Sequence, residues 1–220
     1  MHWLVMTFFL FTQLLIALDT IESAIRMAGV HDLEELLKIL KANHMATMVK
    51  VKAVRRVAEI YKENSNSVSP DIILSHYREA LTSHNDDNPP HSHYLIRGEI
   101  CSSLAQYASS PNASEALRLA QKQVQLDTHI EVKASCAQAL GSFHQNPNEA
   151  GKSLLEILEQ ELRTEAPHEA NIKLVMNLVH SLGRLKYRPA FVGLIKVLQS
   201  GYPASVKKEA EFAIRNLRSS

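Results

Sequence analysis

Glycine and proline are scarce in this chain, 7 and 8 of 220 residues, and the shortage removes most of the tight turns that a many-stranded sheet requires. Charge of one sign is not in excess: 24 Lys and Arg stand against 23 Asp and Glu. A general nucleic-acid binder carries a basic surplus, so no nucleic-acid partner is expected. Tryptophan occurs once, at Trp3. Cysteine occurs only at Cys101 and Cys136, with no CxxC and no Cys/His spacing of the zinc type. No P-loop, no G-x-G-x-x-G and no G-x-S-x-G is present, so three common routes to phosphate, dinucleotide and acyl chemistry are closed. What remains is an ordinary apolar share of 45%, enough for a chain that buries a core, arranged for long helices and short loops.

One helical phrase returns five times. It reads Val49-Lys50-x-x-Ala53-x-x-x-Val57, then Ile96-Arg97-x-x-Ile100-x-x-x-Leu104 and Val132-Lys133-x-x-Cys136-x-x-x-Leu140. Leu174-Val175-x-x-Leu178-x-x-x-Leu182 and Val206-Lys207-x-x-Ala210-x-x-x-Ile214 complete the series, with starts 47, 36, 42 and 32 residues apart. A supersecondary unit recurring at this period predicts an all-α solenoid, because one helix pair cannot bury its stripe alone and stacked pairs share a core. The apolar residues at i, i+4 and i+8 face neighbouring helices, and a small middle residue lets them approach closely.

Each phrase falls on the second, or B, helix of a pair, giving about five pairs over 32–63, 69–108, 114–143, 149–185 and 190–217. Asp32 is expected to cap the first A-helix, with Glu35 completing a capping box. Ser69 and Pro70 open the second, whose core stripe is expected at Ile72, Ile73, Tyr77, Ala80 and Leu81. Ser114 is expected to cap the third. The A-helix of the fourth pair is expected over 149–164.

The phrase V-[KR]-x-x-A-x-x-A-L-G resembles the second helix of HEAT repeats, including the phycobilisome-lyase-like subset, and Val132 to Gly141 fits it almost throughout. Val175 stands where a basic residue is usual, and Ile100 where Ala is usual. The resemblance covers about residues 32–218. It implies B-helices lining a concave side and A-helices a convex side, and it implies a fold more specifically than a function.

Three catalytic relatives can be weighed. Deoxyhypusine hydroxylase uses repeated His-Glu pairs, and this chain has one, His168-Glu169. HEAT-like DNA glycosylases use a basic, aromatic-lined face, which the balanced charge does not supply. A bilin lyase is excluded by no single residue, but neither cysteine has neighbours suggesting a thiol role. His91-x-His93 with His84, Asp86 and Asp87 could hold a transition metal, although a solvated polar loop is the favoured reading. No cofactor is expected. The favoured function is therefore a non-enzymatic scaffold or adaptor for a protein or peptide, acidic by preference, because the B-helices are basic. Lys50, Arg55, Arg56, Arg97, Lys133, Lys207 and Lys208 are the residues expected to meet the partner. The alternatives are the soluble part of a membrane-anchored protein that assembles or regulates a membrane complex, and a catalytic HEAT protein of the lyase type.

Residues 1–23 differ from the rest. Trp3 to Leu18 carries no charge and is 16 residues long, short for a spanning helix of about 20 and at the upper end of a secretory signal core. A cleaved signal ending before Ala24, a membrane anchor and a buried capping helix all fit. No Lys or Arg precedes the run, which argues against a signal. Export or membrane association is favoured over a cytoplasmic location. Two small buried core residues are the favoured reading of Cys101 and Cys136; a disulfide between them is the alternative and needs an oxidising compartment. Asn112-Ala113-Ser114 is a glycosylation sequon, relevant only on a eukaryotic secretory route.

Overall fold

The computed structural model describes residues 19–82, 93–163 and 169–218. The described residues are helical, with no strand among them. The apolar segment 3–18, His84, Asp86, Asp87, His91 and His168 lie outside them. Two compact units form, Met1–Val68 and Ser69–Ser220.

In the first unit, residues 19–27 are helical (α1), followed by α2 (Leu33–Lys41) and α3 (Thr47–Glu63). α2 packs on α3, with Leu36, Leu37 and Leu40 buried on one helix and Ala53, Val54, Val57 and Ile60 on the other. Asp32 takes the N-cap position of α2 but makes no side-chain capping hydrogen bond to it. It closes a 3-10 turn over Val30–Asp32, where its carboxylate accepts the Gly29 N–H at 2.9 Å, while Glu35 accepts from Lys38 instead.

The second unit holds α4 (Pro70–Thr82), α5 (Tyr94–Leu104), α6 (Ala113–Leu126), α7 (Ile130–Leu140), α8 (Pro147–Glu161), α9 (Ile172–Arg184), α10 (Phe191–Gln199) and α11 (Ala204–Arg218). α5 packs on α7, α7 on α9 and α9 on α11; α4 packs on α6, α6 on α8 and α8 on α10. Successive helices also pair across these two rows, α6 with α7, α8 with α9 and α10 with α11. The phrase positions explain the first row. Val132, Cys136, Leu140, Leu174, Leu178 and Leu182 are all fully buried, as are Val206 and Ala210.

Several local expectations shift. The α4 stripe is Ile73, Leu74, Tyr77 and Leu81, and Ile72 is 55% exposed, so the buried face is rotated by one residue. Ser114 lies inside α6, which starts at Ala113 behind Asn112; the Asn112 amide donates to the Asp71 carboxylate. α8 begins at Pro147, since proline fits a first helical turn, and it ends at Glu161. α9 closes with Lys186 at φ 52°, where the Lys186 and Tyr187 N–H groups return to the carbonyls of Gly183 and Leu182. This is a Schellman ending with lysine in the place glycine usually takes.

Two glycines mark close approaches within the first row. A Cβ at Gly141 would lie 2.5 Å from Ser181 Oγ, and one at Gly183 would lie 2.8 Å from the Ala213 Cα. The Leu-Gly ending of the phrase therefore brings each helix against the next. Gly183→Val is expected to lower the unfolding free energy by roughly 3 kcal/mol, because α9 and α11 must separate. Gly98→Ala, whose Cβ would meet only Ser135 Oγ at 3.7 Å, is expected to stabilise by about 0.5–1 kcal/mol through helix propensity. Urea unfolding of the two variants measures both.

Candidate functional site

The seven basic residues expected to meet a partner do not share one fate. Arg97 is turned into the protein interior, with 3% of its side chain exposed. Its Nε donates to Asp127 Oδ2 at 2.7 Å and its Nη2 to Oδ1 at 3.0 Å. Asp127, the residue that ends α6, also accepts the His129 N–H at 2.8 Å and is itself fully buried. Arg97 thus ties α5 to the α6–α7 junction and is removed from the surface. The expectation failed because the basic position of the phrase found a carboxylate one pair away, and Asp127 had not been singled out. Its sequence signal was modest: an aspartate three residues before the start of a B-helix at Ile130, in the short turn between two helices.

Lys50 is also corrected. It is 8% exposed, and burial lowers its pKa from the usual lysine value. A desolvated ammonium is a poor contact for a solvent-borne partner. Arg55 and Lys208 are exposed, and Arg56, Lys133 and Lys207 are half-buried, so these five remain at the surface.

Within the second unit, Lys133 and Lys207 lie on the row α5, α7, α9, α11, and polar ties cross that row between neighbours. Lys173 of α9 pairs with Glu131 of α7, and the Asn177 amide donates to the Ala134 carbonyl at 2.9 Å. His180 Nδ1 of α9 lies 2.8 Å from Glu209 Oε1 of α11. Lys173 directly precedes the fourth phrase, whose usual basic position is taken by Val175. The second row carries its own link, Arg78 of α4 to Glu115 of α6, with Arg118 on the same carboxylate. The Arg118 and Arg78 hydrogen bonds hold the Glu115 carboxyl below its usual range against the opposing effect of burial.

The histidines give no metal centre among the described residues, where no group of three or more His, Cys, Asp or Glu is placed to hold an ion. His93 accepts the Leu95 N–H at its Nδ1, capping α5, and its ring leans on Tyr94. Tyr94 stacks on His129 with ring centroids 3.8 Å apart and planes within 4°. Cys101 of α5 and Cys136 of α7 are both fully buried and are joined sulfur to sulfur, with Cα atoms 4.7 Å apart.

In the first unit, α1 and α3 enclose a cleft of about 190 Å³. Glu22, Ile25 and Arg26 line one wall, and Lys52, Arg55, Arg56 and Glu59 the other. Lys52 pairs with Glu22 across it. Arg56 donates from Nε to the Ala28 carbonyl at 2.9 Å and from Nη1 to Glu59 at 3.1 Å.

No family model matches the chain, and no curated protein matches it in sequence. A crystal structure described as an engineered protein is similar to it, at 25% identity and a TM-score of 0.51, over 90% of this chain and 86% of that one. No described helix is long and apolar enough to cross a membrane.

Proposed function

We propose that the chain is a HEAT-like α-solenoid that acts as a non-enzymatic scaffold, holding a partner protein on the face formed by its B-helices. The stacking of α5, α7, α9 and α11 in one row carries this reading, since it lays the equivalent residues of successive phrases side by side. Extended faces of this kind are the binding surfaces of repeat proteins. Lys133, Lys207 and Lys208 are the cations that the second unit offers on its row of B-helices. Their role is to steer and select an acidic partner more than to supply the bulk of the affinity. We assign the scaffold to an oxidising compartment, an assignment supported by the Cys101–Cys136 pair.

A photo-crosslinking residue placed in the full chain at position 133 or 208 tests the scaffold. One partner chain should be captured from both positions and not from position 156, an exposed site on α8. Lys133→Glu with Lys207→Glu and Lys208→Glu should reduce capture about tenfold. Equal capture from position 156, or none from 133 and 208, overturns the reading.

A further inference from the structure

We infer that the cleft between α1 and α3 takes a side-chain carboxylate from an acidic segment of the partner protein. The inference rests on the scaffold reading and deepens it, by naming the chemistry that one subsite recognises. Four cations, Arg26, Lys52, Arg55 and Arg56, line the cleft against two carboxylates, Glu22 and Glu59. The surplus of two positive charges is concentrated in a small concave space, where low-dielectric walls strengthen the field on an anion.

The size of the cleft limits the ligand. At about 190 Å³ it falls below the roughly 300–1,000 Å³ of sites for drug-sized molecules and cofactors. It has room for one anionic group and the methylenes that carry it. Ile25 is 4% exposed and gives the lining an apolar element for those methylenes. The planar fork of Arg matches a carboxylate through two parallel hydrogen bonds, which the point charge of Lys does not. Three of the four cations are Arg. Arg56 is oriented by the Ala28 carbonyl, so part of its rotamer freedom is already spent before a ligand arrives. Arg26 and Arg55 are the exposed members and are the residues that meet an incoming carboxylate. Glu22 and Glu59 already accept hydrogen bonds or ion pairs from Lys52 and Arg56, so the lining accommodates carboxylates in the absence of a partner.

The test is titration of the full chain with a fluorescently labelled oligoglutamate peptide at low ionic strength. Saturable binding is expected, weakened about tenfold when salt is raised to physiological strength. Arg26→Glu with Arg55→Glu should abolish it, and Arg26→Gln with Arg55→Gln should weaken it about tenfold, a second variant that avoids new like-charge contacts. Lys152→Glu with Lys196→Glu, exposed positions on α8 and α10 to which no binding role is assigned, should leave it unchanged. Absence of saturable binding, indifference to both Arg26/Arg55 variants, or an equal loss in the Lys152/Lys196 variant overturns the assignment. Crosslinking from positions 133 and 208 is read separately. If it captures a partner while oligoglutamate does not bind, the cleft assignment falls and the scaffold stands; if oligoglutamate binds and crosslinking captures nothing, the scaffold falls.

Discussion

Asp127→Asn is expected to lower the unfolding free energy by about 3–5 kcal/mol, because it strands a buried guanidinium. Arg97 has 3% of its side chain exposed and Asp127 none, so water cannot replace the lost carboxylate. Asparagine has nearly the same shape, which leaves charge as the main change. Its amide oxygen can still accept one hydrogen bond from Arg97, but its NH2 group would face the donors that now meet Asp127. The informative comparison is Arg97→Met with Asp127→Leu. Removing both charges abolishes two desolvation penalties together, and such replacements are often neutral. The double variant should recover most of the loss, short of about 1 kcal/mol for the His129 N–H that Asp127 also serves. Urea unfolding of Arg97→Met, of Asp127→Leu and of the double variant closes the cycle. Additive losses would show that the two residues act independently and that the pair does not anchor α5 to the α6–α7 junction.

The same pair marks the boundary of what the sequence disclosed. Helix positions were legible because the apolar residues at i, i+4 and i+8 carry a helical period, and Pro70 announces a helix start. The all-helical class followed from scarce glycine and proline. What the pattern could not decide was the fate of the second residue in each phrase. Lys50, Arg97 and Lys133 occupy equivalent places, yet the first is buried and desolvated, the second is locked on Asp127 and the third is half-exposed. The difference lies in residues from other helices, and spacing within one helix does not report them. The Ile72 error has the same source: two adjacent isoleucines are equivalent by hydropathy, and only the packing of α4 selects Ile73. The cleft between α1 and α3 was only half legible. Arg55 and Arg56 were picked out by charge, whereas Arg26 and Glu22 join them through the placement of α1, a helix that immediately follows the apolar segment.

The second large effect is expected at Cys101 and Cys136. Their sulfurs link α5 to α7, neighbours in the row on which the scaffold reading depends, across a sequence separation of 35 residues. The Cα separation of 4.7 Å lies within the range that a disulfide bridges. In the chain-entropy account, a loop of this length stabilises the folded state by about 3–4 kcal/mol, by constraining the unfolded chain. Cys101→Ala with Cys136→Ala should lose that amount, and the native chain under reductant should lose the same. Reductant should then leave the double alanine variant unchanged. Both cysteines are fully buried, so reduction must await an opening of the α5–α7 contact. Its rate should therefore rise with urea well before the main unfolding transition, and intact mass before and after reduction should differ by two hydrogens. A native chain whose mass and melting temperature ignore reductant would instead mean that the two residues serve as buried thiols. That outcome would also withdraw the support this pair gives to an oxidising compartment. The tie between α5 and α7 would then rest on apolar packing around Ile100, Val132 and Leu104, all within the buried core.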